Sequence, residues 1–171
     1  MKMKNLLRTV LFLSFFFCAA PIFAVESYHF DLYSMSGKLL SSEEIMRKPD
    51  VKYLIVDFFS LICEPCKRSL PKWDKFYSEN KAKGFEFLLV SLPAQGDRKQ
   101  VKKDLKNYFK ENRFGFNVVF DQYSNVGKKF GAVNEKGDVT LPMIFVLDKS
   151  GKILFKAESY DEAISKIKDL K

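Results

Sequence analysis

The chain has 171 residues, of which 47% are apolar and 29% are charged, and its formal net charge is +8. This length favours one compact domain, and the apolar content, with 18 phenylalanines, is sufficient for a hydrophobic core. Lysine and glutamate residues are interspersed, and the sequence carries no arginine-rich stripe or aromatic stacking motif. The composition therefore argues against a nucleic-acid partner.

The first 24 residues have the layout of a secretory signal peptide. Lys2, Lys4 and Arg8 precede an apolar run over residues 10–18, and Ala24 is a small residue at a plausible cleavage point. We therefore predict a signal peptide over residues 1–24 and a mature domain over residues 25–171. A retained N-terminal membrane anchor is the alternative, although a full span needs about 20 apolar residues.

Cys18 falls within the predicted signal peptide. A lipoprotein signal needs a small residue before its cysteine, and Phe17 stands there. We therefore assign Cys18 to the removed segment, so that the mature chain keeps two cysteines.

Turn residues and apolar periodicity divide the mature region into alternating strands and helices. The predicted strands cover residues 28–33, a short stretch near residue 39, 52–60, 85–91, 116–120, 141–147 and 152–157. The predicted helices cover a short segment from residue 42, 63–83, 97–112, 124–130 and 161–170. The runs 52–60 and 85–91 are almost continuously apolar, which predicts strands buried on both faces. This order predicts an α/β fold with a central mixed sheet flanked by helices.

Three single residues carry further structural expectations. Pro71 lies inside the predicted helix 63–83 and should kink it. Trp73 of the same helix is expected to pack in the core. His29 is expected on the surface of the first strand.

Cys63 and Cys66 are the candidate reactive groups. A disulfide between them would close too small a loop to constrain the unfolded chain much, so a structural role is the weaker explanation. The pair follows a buried strand and opens a helix, where free N–H groups and the helix dipole favour negative charge. A thiolate at Cys63, the nucleophilic form, would be stabilised there. Cys66, one turn later, could then resolve a mixed disulfide at Cys63.

The segment from Val56 to Cys66 (VDFFSLICEPC), with Pro71 further on, resembles the active-site strand, motif and kinked helix of the thioredoxin-like superfamily. The segment 140–146 (TLPMIFV) resembles the cis-proline loop of that superfamily. The predicted N-terminal hairpin points to its extracytoplasmic TlpA/ResA-type branch. The resemblance covers nearly all of the mature chain and implies a thioredoxin-like fold with an N-terminal β-hairpin extension. It also implies thiol–disulfide oxidoreductase activity without a cofactor or metal.

The resemblance implies roles for two residues besides the cysteines. Pro142 would be cis and would offer backbone groups to an extended substrate; the alternative is an ordinary proline at a strand start. Asp57 would accept the proton of Cys66 during exchange. The alternative for Asp57 is a partly wetted position on the strand, since a buried carboxylate is costly.

Glu64 lies between the cysteines, and its negative charge disfavours a second negative charge on Cys63. A destabilised thiolate makes the dithiol a better electron donor, so Glu64 favours reduction of clients. The alternative is a solvent-facing acid that stabilises the helix start. Relatives usually carry tryptophan just before the first cysteine or one residue earlier, where this chain has Leu61 and Ile62. This departure leaves the client open.

We therefore expect an extracytoplasmic enzyme that reduces disulfides of exported proteins, apocytochrome c among them, with electrons from a membrane thiol donor. A peroxiredoxin-like peroxide reductase is one alternative, because Ser60 to Cys63 loosely matches the S/T-x-x-C peroxidatic motif. Val56, however, stands where that motif has proline. A Sco-like copper chaperone is another, although that family spaces its cysteines by three residues and adds a late histidine. Zinc would need about four ligands, and His29 is the chain's one histidine.

Overall fold

A computed structural model describes residues 27–93 and 97–170. The predicted signal peptide, the alternative anchor and Cys18 lie outside the described residues. No helix in the described ranges is long and apolar enough to cross a bilayer. The strands are β1 (Asp31–Tyr33), β2 (Leu39–Ser41), β3 (Tyr53–Phe59), β4 (Phe85–Ser91), β5 (Asn117–Phe120), β6 (Met143–Asp148) and β7 (Ile153–Ala157). The α-helices are α1 (Ser42–Arg47), α2 (Glu64–Asn80), α3 (Arg98–Glu111), α4 (Asn125–Phe130) and α5 (Tyr160–Ile167).

Five strands form a central sheet in the order β5-β4-β3-β6-β7. Strands β3, β4 and β5 are parallel, whereas β6 pairs antiparallel with β3 and β7 pairs antiparallel with β6. Strands β1 and β2 form a separate antiparallel pair. The predicted mixed sheet, the flanking helices and the N-terminal hairpin are therefore confirmed.

The two faces of the sheet support two different hydrophobic clusters. Leu54, Val56 and Phe58 of β3 pack with side chains of α1 and α4. Ile55 and Phe59 point to the other face and pack with side chains of α2, α3 and α5. Because successive side chains alternate across a strand, β3 must be apolar on both faces, as its sequence predicted.

The N-terminal strand is shorter than predicted, because residues 28–30 find other partners. Ser42 Oγ accepts a hydrogen bond from the Phe30 N–H at 2.8 Å, and the Ser42 N–H donates to Phe30 O at 2.9 Å. The Tyr28 N–H donates to Gly151 O at 2.9 Å. His29 between them is half-buried beside Gly151, so its predicted place on a strand surface is wrong.

Helix α2 continues through Pro71 to Asn80 and is followed by a 3₁₀ turn over Lys81–Lys83. Gly84 ends this segment with a φ of 97°, in the left-handed region that glycine adopts at low cost. A Cβ atom at Gly84 would lie 2.8 Å from Lys52 Cγ and 3.0 Å from Asp50 O. The glycine therefore allows the end of the helix to pack tightly before β4 begins.

Gly127 of α4 is a test of packing on the face opposite α2. A Cβ atom at Gly127 would lie 2.8 Å from Val133 Cγ2 and 2.9 Å from Leu92 Cδ2, both on buried side chains. We expect Gly127→Ala to lower the free energy of unfolding by about 1–2 kcal/mol, since overpacking outweighs the better helix propensity of alanine. Urea unfolding of the purified protein measures this change.

Gly115→Ala is the matched control for the Gly127 variant. A Cβ atom there would lie 3.5 Å from Asp74 Oδ1, which is an ordinary contact distance. We expect its stability to stay within about 0.5 kcal/mol of the parent. Equal losses in the two variants would contradict the packing explanation.

Candidate active site

Cys63 and Cys66 form a disulfide, with their Cα atoms 5.3 Å apart. Cys63 is the N-cap residue of α2, and its Sγ accepts a hydrogen bond from the Cys66 N–H at 3.3 Å. Cys66 is fully buried, whereas Cys63 is half-buried. An incoming thiolate can therefore reach Cys63 Sγ far more easily than Cys66 Sγ.

The chain between β3 and α2 brings Cys63 to this position. Strand β3 ends at Phe59, and a tight turn closes with a hydrogen bond from the Cys63 N–H to Ser60 O at 3.0 Å. Pro65 lies in the first turn of α2, where its missing N–H costs little. Helix α2 has 17 residues, so the partial positive charge at its N-terminus is well developed beside Cys63.

The Leu141–Pro142 peptide bond is cis, as the resemblance implied. The loop that contains it forms a groove of about 580 Å³ with the start of α2. Ile62, Cys63 and Glu64 line one wall of the groove, and Val139 and Leu141 line the other. On the far side of Pro65, a second depression is lined by Pro142 and by residues of α2 and α5. The half-buried Cys63 thus lies in the wall of an open groove.

Glu64 is exposed and forms an ion pair with Lys67 on the next turn of α2. An exposed acid in the first turn stabilises the helix dipole, and pairing with Lys67 offsets part of its charge. This arrangement agrees with the solvent-facing reading of Glu64. A contribution of Glu64 to the redox potential stays a prediction.

Asp57 is only 1% exposed and lies in the middle of β3. Its neighbours two residues away, Ile55 and Phe59, belong to the cluster that contains Cys66, so its side chain is on the Cys66 side of the sheet. Burial raises the pKa of Asp57 well above its ordinary value, and the indole N–H of Trp73 acts in the opposite direction. The partly wetted position considered from the sequence is therefore wrong.

Trp73 is the neighbour of the site that sequence reasoning treated only as core packing. It is fully buried, as predicted, but its indole nitrogen and both carboxylate oxygens of Asp57 form no hydrogen bond with any described residue. The signal was present in the spacing: Cys66, Leu70 and Trp73 are separated by four and three residues, which places them on one face of α2. That face covers the strand position of Asp57.

The described residues include no cluster of three or more histidine, cysteine, aspartate or glutamate side chains placed to hold a metal ion.

A disulfide at the start of a long helix, next to the central strand and facing a cis-proline loop, defines a protein of the thioredoxin-like class. The chain belongs to the AhpC/TSA family, whose model matches residues 19–156.

Two relatives carry oxidoreductase names. Thiol-disulfide oxidoreductase ResA of Bacillus thuringiensis subsp. konkukian is 24% identical over 129 residues, which cover 75% of this chain and 65% of that protein. Sporulation thiol-disulfide oxidoreductase A of Bacillus subtilis is 26% identical over 116 residues, which cover 68% of this chain and 65% of that protein. The chain thus spans about 65% of the length of these curated relatives.

Solved structures share the fold. StoA from Bacillus subtilis has a TM-score of 0.65 at 20% identity and covers 86% of this chain and 100% of its own. The pneumococcal exposed lipoprotein thioredoxin from Streptococcus pneumoniae strain TIGR4 has a TM-score of 0.65 at 22% identity, covering 82% and 98%. These similarities show the thioredoxin-like fold.

The buried Asp57 should make the protein less stable as the pH rises. Its pKa is raised in the folded state, so the native protein holds a proton that the unfolded chain releases near pH 4. Stability is therefore fully present below that pH and is lost as the pH rises toward the folded pKa. We expect Asp57→Asn to unfold at a higher urea concentration at pH 7, with a free energy of unfolding larger by about 1–3 kcal/mol. The stability of this variant should also depend less on pH.

Asp121→Asn is the control for this substitution. Asp121 is also buried, but its two carboxylate oxygens accept hydrogen bonds from the Asn125 N–H at 3.0 Å and the Gly127 N–H at 2.8 Å. An amide has one acceptor oxygen, so this variant should be less stable than the parent. A loss of stability at pH 7 in both variants would contradict the interpretation of Asp57.

Proposed function

We propose that the protein is an extracytoplasmic thiol–disulfide oxidoreductase that reduces disulfides of exported proteins through Cys63 and Cys66. The observation that carries the proposal is the unequal exposure of the two sulfurs at the start of α2. The names of the relatives support the reaction class. The signal-like pattern of residues 1–24 and the exposed lipoprotein among the similar structures support the location.

The reaction begins with the reduced protein. The Cys63 thiolate attacks one sulfur of the client disulfide, the client S–S bond breaks, and its other sulfur leaves as a thiolate that takes a proton. Asp57 then accepts the proton of the Cys66 thiol, and the Cys66 thiolate attacks Cys63 Sγ. The mixed disulfide breaks, the second client sulfur leaves, and the Cys63–Cys66 disulfide forms. The client gains two electrons and the enzyme loses two.

The oxidised enzyme then needs two electrons from a thiol donor. We propose a membrane dithiol as the donor, because the extracytoplasmic space is itself oxidising. Apocytochrome c is a candidate client by resemblance to the family branch. The reduction potential of the Cys63–Cys66 couple tests the direction: a value near that of thioredoxin supports reduction of clients, and one near that of DsbA contradicts it.

The roles of the two cysteines differ, so their serine variants should behave differently. Cys66→Ser keeps the exposed nucleophile but cannot resolve the intermediate, so we expect it to accumulate a mixed disulfide with a reducible client protein. Cys63→Ser should form none, because the remaining sulfur is buried. Non-reducing gels after an acid quench measure the adducts, and equal trapping by both variants would contradict the assigned roles.

Peroxide and copper assays on the same parent protein test the two alternative functions. We expect the reduced protein to consume client disulfide much faster than hydrogen peroxide and to bind copper(I) no more tightly than an ordinary dithiol. Fast peroxide consumption without disulfide exchange would favour the peroxiredoxin-like function and overturn the proposal. A tight copper complex in a protein that exchanges no disulfide would favour the copper chaperone.

The groove beside Cys63 should affect protein clients more than small disulfides. Ile62 lines it and is 64% exposed, so it can contact a polypeptide that reaches Cys63. We expect Ile62→Asp to raise the KM for a disulfide-bonded protein by about tenfold. The variant loses one apolar contact with the client, and binding must also remove water from the new carboxylate. The rate with glutathione disulfide should change little.

Leu39→Asp is the matched control for the groove variant. Leu39 is also an exposed aliphatic residue, at 50%, but it lies on β2 and does not line the groove. Its KM for the protein client should equal that of the parent. A similar rise in both variants would mean that added surface charge, and not the groove, alters client binding.

A further inference from the structure

Of the buried polar groups on the Cys66 side of the sheet that form no hydrogen bond with a described residue, two belong to β3 and α2. They are the carboxylate of Asp57 on β3 and the indole N–H of Trp73 on α2. Asp57 is 1% exposed and Trp73 is fully buried. Leaving such groups unpaired in the interior is costly, so their occurrence on facing elements calls for an explanation.

The indole ring of Trp73 is held on several sides. Its centroid lies 4.9 Å from that of Phe87, 4.8 Å from that of Tyr160 and 5.7 Å from that of Phe76. These contacts come from β4, α5 and α2 itself. The packing of these rings therefore fixes the position of the indole N–H.

The immediate surroundings of Asp57 are apolar. Its register partners in the sheet are Leu89 of β4 and Ile144 of β6, and Leu70 of α2 packs in the same cluster. The causes that act on the pKa of Asp57 are burial, which raises it, and the indole N–H of Trp73, which lowers it. The titratable groups that pack in this cluster are Cys63, Cys66, Tyr53, Tyr77, Tyr108 and Tyr160, and the charged groups at its edge include Glu64, Lys67, Lys72, Glu86 and Asp161.

Several of these titratable groups form pairs with one another or are exposed at the edge of the cluster. Glu64 pairs with Lys67, and Tyr77 donates a hydrogen bond to Glu86 at 2.8 Å. Lys72 lies 3.8 Å from Asp161, and both are exposed. Ser91 Oγ of β4 is also buried without a partner on this side of the sheet, but Ser91 is the register partner of Phe59 and not of Asp57. Of these two donors, the indole N–H is the one that acts on the pKa of Asp57.

We propose that Trp73 is a positioning residue whose indole N–H donates a hydrogen bond to the ionised form of Asp57. This bond stabilises the carboxylate over the carboxylic acid. Trp73 thereby sets the pH above which Asp57 can accept the proton of Cys66, and this last consequence rests on the proposed function.

Trp73 is the chain's one tryptophan, so tryptophan emission excited beyond the absorption of the seven tyrosines reports on this site alone. The oxidised protein is suitable because its cysteines do not titrate. We expect the tryptophan emission of the oxidised protein to change in one step as the pH rises, when Asp57 ionises beside the indole. The step should be absent in Asp57→Asn; a step that persists unchanged in that variant would overturn the proposal.

A single tryptophan also permits an isosteric replacement. Biosynthetic incorporation of benzothienylalanine keeps the bicyclic shape but replaces the N–H with sulfur. We expect the pH profile of client reduction to move to higher pH, because the carboxylate has lost its donor. On the acid side of the profile, the rate should fall about tenfold for each pH unit of the displacement.

Trp73→Phe should move the pH profile in the same direction, and Phe76→Leu is its packing control. Phe76 contacts the Trp73 ring but carries no polar group, so its loss should leave the midpoint in place. An unchanged midpoint in the benzothienylalanine protein, or an equal displacement in Phe76→Leu, would overturn the proposal.

The fluorescence titration separates this inference from the proposed function. If the parent protein reduced no disulfide at any pH, that result would contradict the proposed function. The emission step and its loss in Asp57→Asn would still support the bond between Trp73 and Asp57, whereas their absence would overturn it.

Discussion

The chemistry of this protein depends on one junction, where the central strand β3 gives way to helix α2. The turn closed by Ser60 and Cys63 places a sulfur at the N-terminus of a helix of 17 residues. Cys66 lies one turn further along α2, on the face that packs against the sheet. The sulfur of Cys63 is therefore accessible and that of Cys66 is buried. In the proposed reaction, this asymmetry sets the order of the two attacks of thiol–disulfide exchange, because a client can reach only the sulfur of Cys63.

The same junction imposes a cost on the core. Asp57 belongs to a strand that is otherwise apolar on both faces, and a buried carboxyl without a full set of hydrogen bonds destabilises the fold. An acidic residue in an apolar strand is expected where that residue contributes to function at the expense of stability. In the proposed arrangement, the indole N–H of Trp73 limits this cost when the carboxyl ionises, because an indole offers one donor and no charge.

The sequence predicted the elements that depend on periodicity and turn residues. Strand β4 was predicted with the bounds that it has, because an almost continuously apolar run between Gly84 and Pro93 leaves little freedom. Residues 28–30 were assigned to a strand wrongly, since the hydrogen bonds that Ser42 offers to Phe30 come from another element and have no local signature. The cysteine pair was evident from spacing, whereas the burial of Asp57 and the indole next to it required three-dimensional packing of β3 against α2.

Related proteins usually carry tryptophan just before the first cysteine or one residue earlier, where this chain has Leu61 and Ile62. This difference affects the groove surface more than the cysteine chemistry. Ile62 is exposed at the mouth of the groove, opposite Val139 and Leu141 of the cis-proline loop. A β-branched aliphatic side chain presents a smaller and less flat surface than an aromatic ring, so a client must fit a wider groove. Asp57 and Trp73, which handle the proton in the proposed mechanism, do not line this groove. Under the proposed function, client choice would depend on the residues that line the groove and the redox chemistry on the buried side of α2. A substitution could therefore change one without the other.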